Sequence, residues 1–193
     1  MIRRFVLFAF LSLAGCHHDH SAQDVNVRGL IPPLAFNMTD TQTGAAVTEG
    51  NFKGKVTLLF FGYTNCPDEC PATMYNLTRI FKLMGPAAAA HIQVLFVTVD
   101  PGRDTAQVLN RYTALFGPNF IGLRGSANQL YRLARRYRVV FTVVKKPVYS
   151  VTHSAAVYVF NAHGGPRFII GGLDTNRPDF KGIAADLSAV ARE

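Results

Sequence analysis

The chain has 193 residues, 49% hydrophobic and 17% charged, with Gly and Pro falling mostly between periodic segments. That is the composition of one globular domain with a leader, and it excludes a disordered or fibrous protein. Its 20 Lys and Arg against 12 Asp and Glu give a formal charge of +8. The basic residues are dispersed apart from one helix face and no nucleic-acid-binding motif occurs, so no nucleic acid is expected as a partner; an acidic protein or an anionic membrane surface accounts better for the charge.

Met1-Ile2-Arg3-Arg4 is a positive start, Phe5 to Leu13 an apolar run too short to span a bilayer, and Leu13-Ala14-Gly15-Cys16 follows. This is the form of an export signal, and the tetrapeptide resembles the bacterial lipobox, in which the Cys is acylated and becomes the first mature residue. The expected organisation is a lipoprotein signal peptide over residues 1–15, lipid on Cys16, a polar tether over 16–31 and one domain over 32–193. The expected location is the bacterial cell envelope, membrane-anchored and facing the periplasm or the outside.

Asn51 to Gly54 reads as a turn into the strand Val56–Phe61, a continuous apolar run suited to burial on both faces. Gly62 to Pro71 carries two cysteines into a helix on which Met74, Leu77, Phe81 and Met84 recur at helical spacing until Gly85-Pro86 stops it. A second buried strand, Ile92 to Val99, completes a right-handed βαβ unit. Asp104 with Gln107, and Ser126 with Gln129, read as capping pairs opening two helices. Their apolar stripes are Val108-Tyr112-Leu115 and Leu130-Leu133-Ala134-Tyr137, and Arg132, Arg135, Arg136 and Arg138 fall largely off the second stripe, as a solvated or docking face. Two strands, Ala155 to Phe160 and Arg167 to Ile170, are joined by the Gly-containing loop 161–166, and a helix near Phe180 to Val190 closes the chain. The order predicts an α/β protein of thioredoxin-like fold, a central mixed sheet flanked by helices, with a helical insertion.

In that fold a cysteine pair follows the first central strand at a helix N-terminus, and Cys66 and Cys70 stand there with three residues between them. The helix start stabilises thiolate, and i, i+4 spacing can turn both sulfurs to one side of the first turn. A disulfide, a redox pair and a metal site are all open to such a pair in an exported protein. Thiolates select Cu(I), Zn(II) or iron–sulfur clusters, but two cysteines are too few for a typical zinc or cluster site. The count favours Cu(I) if a third ligand exists. His153, in Val151-Thr152-His153-Ser154 just before a strand, is the candidate; His91 and His163 fit plain surface positions.

Phe60-Phe61-Gly62-Tyr63-Thr64-Asn65-Cys66-Pro67-Asp68-Glu69-Cys70-Pro71 closely resembles the signature of the Sco/SenC family, membrane-tethered copper chaperones for the binuclear copper centre of cytochrome c oxidase. Val99 to Thr105 resembles the family's second motif and Val151 to Ser154 its third. The resemblance runs from about Leu34 to the C-terminus. It implies that Cys66, Cys70 and His153 hold copper, as Cu(I) and also as Cu(II), that Asp100 lies beside the site, and that the copper-binding subunit of the oxidase is the recipient. Asn65 stands where the family usually has His, and Gly102 where an acidic residue is frequent, which bears on affinity and partner choice. A lipid here takes the place of the usual transmembrane anchor. The competing function is a thiol–disulfide oxidoreductase that reduces the oxidase's copper-binding cysteines and is itself recharged by a thioredoxin-like reductant. A thiol peroxidase is disfavoured, because only one residue separates Thr64 from Cys66. His17, His18 and His20 are either a second copper-binding tail or a hydrophilic spacer, and Asp100 and Asp104 read otherwise as a turn former and a helix cap.

Overall fold

The structure, a computed structural model, describes residue 21 and residues 23–193. Residues 1–15, Cys16 and His17, His18 and His20 lie outside the described residues. In chain order come β1 (Asp24–Asn26), β2 (Asn37–Asp40), β3 (Ala46–Thr48), a 3-10 turn (Glu49–Phe52) and β4 (Val56–Gly62). Next are α1 (Glu69–Met84), α2 (Pro86–Ala89), β5 (Ile92–Thr98), α3 (Ala106–Ala114), β6 (Phe120–Arg124) and α4 (Ala127–Arg136). The chain ends with β7 (Phe141–Val144), β8 (Ser150–His153), β9 (Val157–Phe160), β10 (Pro166–Ile170) and α5 (Phe180–Val190).

The most apolar runs take the middle of the sheet. β4 and β5 pair in parallel at the centre of eight strands ordered β1-β10-β9-β4-β5-β6-β2-β3, and every residue of both is buried. Burial of a large side chain such as Leu58 or Phe96 contributes about 1.5–3 kcal/mol. Where polar residues intervene they are satisfied: Gln93 donates to the Phe52 carbonyl at 2.6 Å and to Thr57 Oγ1 at 3.0 Å. β6 extends the parallel set, whereas β9 runs antiparallel to β4 and β10 antiparallel to β9. Helices cover both faces. On one, Phe60 stacks with Phe96 (5.7 Å) and Phe96 with Tyr112 of α3 (5.4 Å); on the other, Tyr158 and Phe160 meet Tyr137 at the end of α4 (6.0 and 5.4 Å). The result is a mixed-sheet, thioredoxin-like fold.

Several elements depart from the sequence expectation. The two mid-chain helices are not consecutive, because β6 lies between them; its pattern is broken by Gly122, where a Cβ would come within 2.6 Å of Thr41 Oγ1 and 2.8 Å of Leu109. Leu115, expected on an apolar stripe, is 79% exposed just past the end of α3. Asp24–Asn26, inside the expected tether, forms the sheet edge against β10, and Val27 after it is buried. The strand expected from Ala155 begins at Val157; ahead of it β7 and β8 make a separate two-stranded sheet.

Candidate metal centre

β4 ends at Gly62, a position with no room for a side chain. A Cβ on Gly62 would lie 2.7 Å from Cys70 Sγ and 2.8 Å from the Phe96 ring. The chain then loops through Tyr63 to Asp68 and enters α1, whose first turn holds Cys70. Asp68, at the cap position, makes no side-chain cap bond; instead the Cys70 amide donates to Cys66 Sγ at 3.4 Å. The sulfur thus does the work of a capping oxygen and faces the positive end of the helix. Both thiols are free and buried.

His153 arrives from the opposite side, at the end of β8. Its Nε2 lies 3.2 Å from Cys70 Sγ and 4.0 Å from Cys66 Sγ, and its Nδ1 lies 3.1 Å from the Ser154 carbonyl. A carbonyl only accepts, so in the neutral ring Nδ1 carries the proton and Nε2 turns its lone pair to the sulfurs. Tyr63 and Phe60 hold the imidazole edge-on, at 5.7 and 6.1 Å between ring centres. The three residues expected from sequence are therefore brought together, with one donor atom from each within 4.8 Å of the others. No other group of three His, Cys, Asp or Glu with this geometry occurs among the described residues. His91 and His163 are exposed and apart from it.

The pair shares charge unequally. The hydrogen bond from the Cys70 thiol holds Cys66 down at about 3 against the opposing effect of burial, and the His153 ring and the amides of Cys70 and Asp68 add to the lowering. Cys70, the donor of that bond and buried more deeply, is pushed up and keeps its proton. Burial resists charging of His153, but its contacts with Cys66 and the Ser154 carbonyl, and the Cys66 and Glu69 charges, outweigh this and raise its pKa. The ring lies nearer to Cys70, yet Cys66 bears the charge and is its electrostatic partner. Glu69, 51% exposed, reaches to 3.9 Å from His153 Nε2 at the rim.

The second motif supports the centre from behind. Asp104, expected as a helix cap, is buried and accepts from Thr64 N (3.1 Å), Thr64 Oγ1 (2.6 Å) and Thr98 Oγ1 (2.5 Å). It ties the cysteine loop to the end of β5, while Thr105 caps α3 by accepting from the Val108 amide. Asp100 is not in the donor group. One of its oxygens accepts from Tyr149 Oη and the other from Arg103 Nε, both at 2.6 Å, with the Arg103 guanidinium 3.7 Å above the Tyr149 ring. Tyr149 directly precedes β8, so this clamp fixes the hairpin that presents His153. Sequence reading missed Tyr149, Glu69 and the buried role of Asp104, since nothing in the local pattern announces β7 and β8.

A model of the SCO1/SenC family matches residues 33–189. The mitochondrial "Protein SCO2 homolog" of Bos taurus is 37% identical over 133 residues, 67% of this chain and 50% of that protein. The chain thus spans about half the length of the curated relatives it matches. Among solved structures, apo Sco1 from Thermus thermophilus superposes with a TM-score of 0.74 at 32% identity, covering 91% of this chain and 99% of that one. Arabidopsis thaliana ScoI, solved with copper bound, gives a TM-score of 0.73 at 30% identity, covering 83% and 98%.

Proposed function

The chain belongs to the SCO1/SenC family, and from that premise we propose that it binds one Cu(I) through Cys66, Cys70 and His153 and delivers it to the copper-binding subunit of cytochrome c oxidase. The observation that carries this reading is the donor set: two sulfurs and an imidazole nitrogen within 4.8 Å of one another. Soft thiolates with one imidazole suit a monovalent copper ion, and a third donor gives retention that two sulfurs alone lack. Cys66 is the thiol held low and Cys70 the one pushed up, so loading the reduced site must displace the proton that Cys70 keeps. Both sulfurs sit at one end of the central sheet, whereas His153 rides on a separate hairpin. Copper leaving for an acceptor can therefore lose the imidazole without disturbing the core.

Anaerobic titration of the reduced protein with Cu(I) tests the reading. One equivalent should bind tightly, the Cys66→Ser/Cys70→Ser double variant should bind none with that affinity, and loaded protein should pass its copper to a purified oxidase copper domain. Tight binding by the double variant would refute the assignment. A thiol–disulfide oxidoreductase, fed by a thioredoxin-like reductant, is the second reading. It is favoured by one observation, that a depressed thiol and a protonated thiol stand side by side at a helix start, as nucleophile and partner. Membrane attachment at the bacterial cell envelope through acylated Cys16 rests on the Leu13–Cys16 pattern. Cys16→Ser should release the protein from membranes, and a mature N-terminus without acyl mass would end that idea. No helix among the described residues is long and apolar enough to cross a membrane.

A further inference from the structure

The carboxylates around Cys66, Cys70 and His153 differ in what they are free to do. Asp100 has one oxygen bonded to Tyr149 Oη and the other to Arg103 Nε, both at 2.6 Å. Asp104 has both oxygens engaged by Thr64 and Thr98. Glu69 is uncommitted. It opens α1 directly before Cys70, its side chain is 51% exposed, and among the described residues its carboxylate accepts no hydrogen bond. Its one ionic contact there is with His153, where Oε2 lies 3.9 Å from Nε2. In the neutral ring that nitrogen is the one with the lone pair, because Nδ1 faces the Ser154 carbonyl. Two acceptor atoms thus point at each other, an arrangement suited to a cation that both can face.

Distance and charge say which cation. Nitrogen and carboxylate oxygen stand about 2.0–2.2 Å from a first-row ion such as Zn(II), so two donors of one ion are at most about 4.3 Å apart. The separation of 3.9 Å lies inside that limit. Glu69 stands outside the group whose donor atoms all lie within 4.8 Å of one another, so joining the sulfurs takes a rotamer change, which an exposed side chain can make. A carboxylate oxygen is a hard donor that soft Cu(I) has little use for, whereas Cu(II) favours a tetragonal array that accepts nitrogen and oxygen. Net charge points the same way. Cu(I) between two thiolates leaves the centre anionic, which repels a carboxylate; Cu(II) leaves it neutral and removes that repulsion.

We propose that Glu69 is a fourth copper ligand specific to one oxidation state: its carboxylate joins Cys66, Cys70 and His153 around Cu(II) and stays off Cu(I). The proposal rests on the copper-binding reading of the three donors and adds to it a residue that sets which oxidation state the site favours. As the first residue of α1, Glu69 also faces the positive end of the helix. That role alone serves the fold whichever ion is bound, and so predicts no difference between the two.

The test compares the reduced full chain with its Glu69→Gln variant in the absence of oxygen. Competition with a chromogenic chelator gives the Cu(I) affinity, and electron paramagnetic resonance after substoichiometric addition of Cu(II) gives the affinity and spectrum of the divalent ion. In the variant Cu(II) affinity should fall at least about tenfold while Cu(I) affinity stays within about twofold. The potential of the bound couple should then rise by about 59 mV for each factor of ten lost. The parallel g and hyperfine values should shift as well, which neutralising a charge outside the coordination sphere would not achieve. Co(II), which does not oxidise thiols, provides a second measurement: its binding should weaken and its visible absorption should change in the variant. Equal Cu(II) affinity and an unchanged spectrum overturn the proposal. So does an equal loss for Cu(I) and Cu(II), which would make Glu69 a rim charge only. A wild-type chain that binds no copper refutes the copper-binding reading and this ligand with it. Copper that binds but never reaches an oxidase domain refutes delivery alone, and the comparison of the two proteins still decides the role of Glu69.

Discussion

Gly62→Ala adds one methyl group at the point where strand, cysteine and aromatic core meet. The new Cβ would lie 2.7 Å from Cys70 Sγ and 2.8 Å from two atoms of the Phe96 ring, well inside van der Waals contact. Phe96 cannot retreat, for it is fully buried and held by Phe60 and Tyr112. Cys70 must yield, and its sulfur is the one 3.2 Å from His153 Nε2. Overpacking of this kind costs about 1–3 kcal/mol of stability. Displacement of a donor sulfur should weaken Cu(I) binding at least as much as loss of a supporting group, about 10- to 100-fold. Thermal unfolding of the apo protein and competition with a chromogenic Cu(I) chelator measure the two effects. Gly102→Ala is the control: its Cβ would meet only Asp100 Oδ1, at 3.7 Å, an ordinary contact, so affinity and melting temperature should stay at wild-type values. Wild-type affinity in Gly62→Ala would refute the view that packing behind Cys70 sets the donor geometry.

His153→Ala should weaken Cu(I) retention by more than about 100-fold, since a ligand is lost rather than its support. Its thiol–disulfide exchange rate should change far less, because that depends on the thiols themselves; normal oxidase assembly despite collapsed affinity would transfer the function to the redox reading. Tyr149→Phe removes a 2.6 Å hydrogen bond to the Asp100 carboxylate, worth about 1.5–3 kcal/mol for a charged acceptor. Both the melting temperature and Cu(I) affinity should fall, and an unchanged affinity would show that the clamp does not position His153. Cys66 is held near 3, so its carboxymethylation rate in the reduced apo protein should be flat from about pH 8 down to about pH 5. An ordinary thiol slows about tenfold per unit below its pKa of about 8.5, and such a slope would show that Cys66 is protonated at neutral pH.

The buried centre of the fold was readable because burial leaves its mark directly in composition. Val56–Phe61 and Ile92–Val99 are largely apolar runs, interrupted only by Thr57, Gln93 and Thr98, and two-sided burial permits little else. Ser126 and Gln129 form the reciprocal caps expected of them. Some of what escaped lies at edges, where one face meets water and the pattern dissolves: β1 with its exposed Val25, and β7, which alternates half-buried and exposed residues; β6 escaped inside the sheet, where Gly122 interrupts a short strand. Asp104 was misread for a different reason. Its place before a helix suits a cap, but its carboxylate is claimed by Thr64 and Thr98, residues 40 and 6 positions away in sequence. Local spacing cannot reveal that competition.

The same distinction separates the parts of the metal centre. The sulfurs are placed by local rules, a strand that ends in Gly and a helix that starts at Glu69, so their proximity could be inferred from the sequence around them. The imidazole is placed largely by long-range contacts, the Tyr149–Asp100–Arg103 clamp and the flanking rings of Phe60 and Tyr63, with the neighbouring Ser154 carbonyl orienting the ring. Residues in such a clamp bear on where the imidazole sits without joining the group of three donor atoms. Substitutions there should therefore alter retention of copper while leaving the sulfur chemistry nearly intact, whereas substitutions at Gly62 or Asp104 should disturb both. A set of variants in which clamp and loop substitutions shifted copper affinity and thiol reactivity in the same proportion would contradict this division of the centre.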